Sequence, residues 1–406
     1  MCGTLTTRCC SALALTAVCA APLFAQATKP APFPTPRAQV AKKSKIDKGP
    51  PPLLPIQTVW TLSLNNPLAV APAYEKTLAF FAIAGDRLVC YDLATGKQQW
   101  LVPARPQTDL VAGGGMVFLV EPDALTARRG SDGGVVWQLP FADALAVPPV
   151  WDNSWLVAAT KAGSVLAFRA ADGHLIWSRD IGSPAHGRPA LAADRVYIPA
   201  ADGRVIALRV ETGEPLWERR LGGPPDDILA LDDRLFVGSE DNFFYSIQTK
   251  DGRVAWRWQT GGDVIGVPVV DEHRVYFVAL DNVVRALNRG SGVQQWMKTL
   301  PLRPTTGPTR AGSSLVVTGF APSLRVFNLS DGVAGGEIPA APEVAAPPYV
   351  FDDAATKRPL LLVITRDLAT GATATLVTHS FEPPTLPVSP LPNPITFAPS
   401  TTTTPR

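Results

Sequence analysis

The sequence predicts an all-β protein built from a repeated unit of short strands. Charged residues make up only 18% of the chain, too few for a long solvated helical bundle, whereas 41 prolines and 32 glycines supply many turns. Within one unit, the runs 195–198, 204–208 and 215–217 are rich in β-branched and aromatic residues and are separated by Asp-Gly or Thr-Gly turns. About four strands per unit and a period near 40 residues predict the blades of a β-propeller.

The repeat is carried by a turn glycine that is followed four residues later by tryptophan. Two further turns, at Gly332 and Gly371, keep the glycine but have Gly336 and Thr375 at the tryptophan position. Successive glycines are 37 to 40 residues apart. The stretches from a tryptophan position to the next turn glycine, counted from Trp60 to Gly96 through to Gly336 to Gly371, predict eight four-stranded blades, with seven as the alternative. The six complete pairs are Gly96 and Trp100, the pair Gly133 and Trp137, Gly173 and Trp177, Gly213 and Trp217, Gly252 and Trp256, and Gly292 and Trp296.

The way the ring closes is less strongly specified. Trp60 lies 40 residues before Trp100, which predicts an outer strand contributed by the N-terminal part of the chain. If this strand completes the last blade, pairing of the chain ends removes the exposed edges of an open array. The segment 374–378 is a competing candidate for the same place.

Residues 1–27 have the features of a secretory signal peptide. Arg8 precedes an uncharged apolar stretch, which ends in the small residues Ala25 and Ala27 of an A-x-A pattern. The protein is therefore expected to be exported, with a periplasmic or outer-membrane-associated location. A lipid anchor on Cys19 is the alternative, disfavoured because Val18 is bulky where such signals have small residues. After cleavage at residue 27 only Cys90 of the five cysteines is left, and it is expected to be a small buried hydrophobe.

The rest of the chain divides by composition. Residues 28–55 form a linker rich in proline and lysine, 56–381 form the propeller, and 382–406 form a disordered tail rich in proline and threonine. The mature sequence contains no run of 18 apolar residues free of charge and proline, so no transmembrane helix is expected there.

Charge and motifs point away from several functions. A net charge of +2 gives no field that would attract nucleic acid. The four histidines lie in different units without the spacing of zinc ligands. Asp and Asn recur at 241–242 and 281–282, where local hydrogen bonding in turns explains them better than a metal site. The acidic pair Asp226 and Asp227 is expected to be a solvated turn.

The segment Val165–Trp177 and its copies resemble the repeat of the PQQ-like, quinoprotein-type β-propellers. The resemblance covers most of the mature chain and implies that outer-strand tryptophans stack on the turn peptide of an adjacent blade. The implied docking residues are Trp60, Trp100, Trp137, Trp177, Trp217, Trp256 and Trp296, with the turn glycines Gly96, Gly133, Gly173, Gly213, Gly252, Gly292, Gly332 and Gly371.

Members of this family include PQQ-dependent dehydrogenases and the BamB-type outer-membrane assembly factor. The dehydrogenases hold PQQ with calcium or a lanthanide, commonly near a pair of adjacent cysteines, which the mature sequence lacks. Resemblance to the BamB-type factor, which matches in size and simplicity, implies a protein partner in the outer-membrane β-barrel assembly machinery. We therefore predict a non-enzymatic exported scaffold without catalytic, cofactor or metal residues. The alternatives are a PQQ-dependent oxidoreductase or another ligand-binding propeller of the cell envelope.

Overall fold

The computed structural model describes residues 53–231, 233–356, 358–367 and 371–380. Within these ranges, 32 strands form eight antiparallel sheets of four strands each, which are the blades of an eight-bladed β-propeller. The predicted all-β class and the count of eight blades are confirmed, and the alternative of seven blades is wrong. No helix in the described part of the chain is long and apolar enough to cross a membrane.

The strands follow one another in blade order, with the first strand of each blade innermost and the fourth outermost. Neighbouring inner strands contact one another around the axis. Blade 1 comprises β2 (Ala73–Glu75), β3 (Leu78–Ile83), β4 (Arg87–Asp92) and β5 (Lys97–Pro103), and blade 2 comprises β6 (Val111–Gly113), β7 (Met116–Glu121), β8 (Ala124–Arg129) and β9 (Val135–Pro140). Blade 3 comprises β10 (Val150–Asp152), β11 (Trp155–Ala159), β12 (Ser164–Arg169) and β13 (Leu175–Asp180), and blade 4 comprises β14 (Ala190–Ala192), β15 (Arg195–Pro199), β16 (Arg204–Arg209) and β17 (Pro215–Arg220).

Blades 5 to 7 repeat this arrangement, and blade 8 combines both ends of the folded chain. Blade 5 comprises β18 (Pro225–Leu231), β19 (Arg234–Ser239), β20 (Phe243–Gln248) and β21 (Val254–Gln259), and blade 6 comprises β22 (Val264–Val270), β23 (Arg274–Ala279), β24 (Val283–Asn288) and β25 (Gln294–Thr299). Blade 7 comprises β26 (Thr309–Ala311), β27 (Ser314–Val317), β28 (Ser323–Asn328) and β29 (Ala334–Pro339), and blade 8 comprises β30 (Glu343–Asp352), β31 (Pro359–Asp367), β32 (Gly371–His379) and β1 (Ile56–Ser63).

The middle strands of each blade carry the core. In blade 4, β15 and β16 are continuous runs of buried residues such as Tyr197 and Ile206, whereas the outer strand β17 alternates between exposed and partly buried positions. A strand buried on both faces needs apolar residues at every position, which explains the runs seen in the sequence. Eight apolar clusters fill the eight spaces between successive blades, including the one between blade 8 and blade 1, so the ring is closed.

Closure uses both candidate strands rather than one. Strand β32 contains the segment 374–378 and is the third strand of blade 8, while β1 pairs with it as the fourth, with Trp60 opposite Leu376. Leu53 and Leu54, which the sequence assigned to the linker, are buried between blades 7 and 8. The packed chain thus begins before the boundary at Pro55. The predicted signal peptide (1–27) with Cys19, most of the linker (28–52) and the tail (382–406) lie outside the described residues.

Candidate functional site

The seven tryptophans of the repeat share one recurring geometry across the spaces between blades. Each indole Nε1 donates a hydrogen bond of 2.6 to 3.1 Å to a backbone carbonyl of the next blade. A Cβ atom placed on the facing turn glycine would lie 2.4 to 3.4 Å from the indole, and these glycines have positive φ. The tryptophan and glycine pairs are Trp60 and Gly96, Trp100 and Gly133, Trp137 and Gly173, Trp177 and Gly213, Trp217 and Gly252, Trp256 and Gly292, and Trp296 and Gly332.

Gly371 occupies a different place from the other turn glycines. The repeat spacing predicts that Gly371 lies in a turn before an outer strand, but in the structure it begins β32, the third strand of blade 8. It faces the backbone of Asn66, whose carbonyl carbon would be only 2.5 Å from an added Cβ. The reason is topological: the third and fourth strands of blade 8 come from opposite ends of the chain, so no turn joins them.

The segments that lead from the outer strand of one blade to the inner strand of the next meet at one end of the axis. This end is here called the mouth. A polar network crosses this mouth. Arg188, just before β14, donates from Nη2 to Asp109 Oδ2 at 2.9 Å and from its backbone N to Asp227 Oδ1 at 2.7 Å. Asp109 precedes the inner strand of blade 2, so the guanidinium reaches past blade 3. Side chains from blades 2, 4 and 5 are therefore held together.

Two backbone amides extend this mouth network to further blades. Asp109 Oδ1 accepts from the N–H of Ala71 at 3.1 Å, and Asp226 Oδ2 accepts from the N–H of Gly266 at 3.3 Å. The mouth network, defined as Asp109, Arg188, Asp226 and Asp227, thus joins the inner-strand starts of blades 1, 2, 4, 5 and 6. Polar groups that are fixed by several partners lose little further freedom when they bind something.

Close backbone contacts hold these strand starts in place. A Cβ on Gly187 would lie 2.3 Å from the carbonyl carbon of Asp226, and one on Gly266 would lie 2.4 Å from the N of Gly307. Only glycine permits such an approach. The mouth is consequently a fixed surface rather than a set of loose loops.

The electrostatics of the mouth network are clearest at Asp227. Burial raises the pKa of this carboxyl, and the neighbouring carboxylates of Asp226 and Asp109 raise it further, while the backbone N–H and the guanidinium of Arg188 oppose the shift. The Arg188 side chain is about half exposed (49%), so its charge is accessible at the surface. Three carboxyl groups against one guanidinium leave the mouth network with an excess of acidic groups.

This finding corrects the expectation that Asp226 and Asp227 form a solvated turn. They lie at the start of the inner strand β18, at an irregularity in its pairing with β19, and the Asp227 side chain is only 20% exposed. The sequence does contain an indication that this acidic pair is unusual. Counted back from the arginine that begins the second strand of each blade, the positions of Asp226 and Asp227 hold Gly187 and Arg188 in blade 4 and Gly266 and Val267 in blade 6, so paired acids stand out there.

His186 and the recurrent turns have local explanations. His186 Nε2 lies 3.2 Å from Glu240 Oε1 across blades 4 and 5. Asn242 has positive φ, and Asp241 accepts from the N–H of Phe243, which is the turn role that the sequence predicted. Within the described ranges, no three His, Cys, Asp or Glu side chains form a group that could hold a metal ion.

Apolar side chains are exposed at the same end of the ring. Val267, in the irregular middle of β22 next to Gly266, is 40% exposed, and Phe320, in the turn between β27 and β28, is 65% exposed. Beside Phe320 a groove of about 280 Å³ runs between blades 7 and 8, with Val344 and Pro347 of β30 on its far wall. Exposed apolar and aromatic groups next to fixed charges are typical of surfaces that bind proteins.

Solved structures share the fold. The crystal structure of BamB from Moraxella catarrhalis superposes with a TM-score of 0.65 at 18% identity, covering 80% of this chain and 99% of that one. The quinohemoprotein alcohol dehydrogenase from Comamonas testosteroni superposes with a TM-score of 0.62 at 12% identity, covering 79% of this chain and 76% of that one. At these identities the likeness extends to architecture alone.

Sequence comparison is more specific than structural comparison. Outer membrane protein assembly factor BamB of Yersinia pestis is 29% identical over 97 residues, 23% of this chain and 25% of that protein. The factor of the same name from Nitrosomonas eutropha is 28% identical over 112 residues, 27% of each chain. The aligned segments thus span about a quarter of these relatives. A family profile described as outer membrane protein assembly factor BamB matches residues 57–139, 123–230 and 219–344, which is well over half of the chain. The chain therefore belongs to the PQQ-like propeller family described as outer membrane protein assembly factor BamB.

Proposed function

We propose that this protein is a non-enzymatic, exported scaffold that docks a protein partner on the mouth of its propeller and assists the assembly of outer-membrane proteins. The observation that carries the proposal is the mouth network, which fixes charged side chains from separate blades into one surface. Membership of the BamB family supports the proposed process, as does the name shared by its relatives.

The chemistry of the mouth indicates what the partner would present. The excess of carboxyl groups around Arg188 favours a basic side chain of the partner, which would pair with Asp109 or Asp226. Val267 and Phe320 offer apolar contacts at the same end. Such a surface combines steering by charge with desolvation of apolar groups, and this combination gives both specificity and affinity.

Site-specific photo-crosslinking in intact cells tests this proposal. A photoreactive amino acid at Val267 should give a crosslink to a component of the outer-membrane assembly machinery, identified by mass spectrometry. The matched control carries the same group at Ala171, which is exposed at the opposite end of the ring, between β12 and β13. Equal crosslinking from both positions, or crosslinks from Val267 to unrelated proteins only, would refute docking at the mouth.

Charge reversal separates docking from folding. Arg188→Glu would place a fourth acid among the three carboxyl groups of the mouth network and is expected to abolish the crosslink from Val267. Because this change replaces attraction by repulsion next to the largely buried Asp227, the urea midpoint of the variant is measured as well, and crosslink yields are compared where both proteins are folded. A crosslink of unchanged yield would show that the mouth network takes no part in binding.

The proposal includes no cofactor, and it is tested against quinoprotein chemistry by calorimetric titration of the folded protein with PQQ, with and without calcium. We expect no heat of binding in either case. Tight, calcium-dependent binding would replace the scaffold with a PQQ-dependent oxidoreductase.

A further inference from the structure

One interface of the ring lacks the tryptophan that braces the others. Seven of the eight spaces between blades contain a docked indole, counted over the described residues. The exception is the space between blades 7 and 8, here called the seam. Blade 7 carries Gly336 at the tryptophan position, and blade 8 has no turn before its outer strand to receive an indole.

Two leucines occupy this seam instead. Leu53 is completely buried and Leu54 is 9% exposed. They join an apolar cluster that contains Leu324 and Val326 of blade 7 together with Leu361 of blade 8.

The position of Leu54 is matched to the missing indole. Its Cδ1 lies 3.1 Å from where a Cβ of Gly336 would be, so a side chain at residue 336 would compete with it for space. Immediately after Leu54, the carbonyl of Pro55 accepts a hydrogen bond of 2.7 Å from the N–H of Ser380, which ties the leucine pair to the other end of the folded chain.

We propose that Leu53 and Leu54 form a latch that holds the seam closed, and that the ring opens first at this seam when the latch is released. The latch precedes β1 and is not itself part of a strand, so it can leave without breaking a blade. Local opening of this kind costs less free energy than global unfolding and is seen as faster amide exchange.

Release of the latch would also alter the surface groove next to Phe320. Val344 of β30 packs against the cluster that holds the two leucines, and it lines the groove beside Phe320. The groove and the latch therefore share one wall.

Hydrogen–deuterium exchange of the full chain, read by mass spectrometry, tests the latch. In Leu53→Ala, peptides from β28, β29 and β30 should exchange at least tenfold faster than in the wild type, while peptides from blades 3 to 5 should not change. The control is Leu235→Ala, which removes an equally buried leucine between blades 4 and 5 and should accelerate exchange there instead.

Two results would overturn the proposal. One is faster exchange in Leu53→Ala spread evenly over all blades, which would mean that the leucine supports the whole ring. The other is unchanged exchange on both sides of the seam. If Leu53→Ala does not fold, Leu54→Ala, at the less buried position, is measured against the same criteria.

Discussion

Stacking of Trp177 on Gly213 should make this glycine intolerant of even one added methyl group. A Cβ at residue 213 would lie 2.6 Å from Trp177 Cε3 and 2.7 Å from Cδ2, well inside contact distance. Trp177 cannot move away freely, because its Nε1 donates a 2.6 Å hydrogen bond to the carbonyl of Val210. Gly213→Ala therefore has both a steric and a conformational cost.

The two costs can be separated with a matched glycine. Gly182 has φ of +72°, nearly the same as the +70° of Gly213, but no atom lies within 4 Å of its added Cβ. An alanine in the left-handed region costs about 1–2 kcal/mol at either position. Overpacking against the indole adds about 1–3 kcal/mol at residue 213 alone. Gly213→Ala should thus lose about 2–5 kcal/mol of unfolding free energy, and Gly182→Ala about 1–2 kcal/mol.

Urea unfolding followed by far-UV circular dichroism measures the difference, provided that the slopes agree among the variants. The decisive comparison is made in a Trp177→Ala background, where the cost of Gly213→Ala should fall to that of Gly182→Ala because the indole is gone. Equal losses for the two glycine variants in the wild-type background would refute the reasoning, since they would show that the indole does not restrict residue 213.

Three further predictions concern titratable groups. Burial tends to raise the pKa of Asp281, but hydrogen bonds from Arg285 and from the backbone N–H groups of Gly261 and Val283, together with the charge of Arg285, outweigh it and hold the pKa below the ordinary value. Its ionised form therefore stabilises the fold above the ordinary aspartate pKa, so the loss in Asp281→Asn should be greatest at neutral pH and shrink as acid is added in urea titrations. For Asp227 the folded pKa is raised, so its contribution to stability falls as pH rises through that pKa, and Asp227→Asn should flatten this part of the curve of stability against pH. Burial, with a smaller contribution from Asp92, raises the pKa of the Cys90 thiol to about 12; peptide mapping after maleimide treatment should find Cys90 labelled in urea but not in the folded protein.

Most of the fold could be predicted because its signals are local and repeated. Six tryptophans follow their turn glycines at a fixed distance, and most of the second, third and fourth strands are five to seven residues long. The interblade contact of Trp177 with Gly213 recurs with the same residue types in seven spaces of the described ring. A repeat seen seven times is hard to mistake, although any one unit would be ambiguous between strand arrangements.

The seam could not be predicted in the same way, because there the repeat breaks. Prolines at 50, 51, 52 and 55 surround Leu53 and Leu54, and their composition indicates a linker. Leu54 lies next to Gly336, far along the sequence, where the other repeats carry an indole. Closure was ambiguous for a related reason. The strand at Trp60 and the segment 374–378 both satisfied the pattern, and the blade needed both.

The mouth network shows how a repeat hides a site and how it can reveal one. Asp109 and Arg188 are far apart in the sequence, and their proximity depends on the ring, which places the starts of all inner strands in one layer. Once that layer is known, residues at the same phase of the repeat can be compared directly. At this phase Gly187, Gly266 and Gly307 allow close backbone contact, so they serve the packing of the ring. The charged residues at neighbouring positions fill no core space. A propeller can therefore acquire a binding surface at positions that depart from the repeat without contributing to its core. In this chain, Arg188 is the position where an effect on binding is most directly separated from an effect on folding.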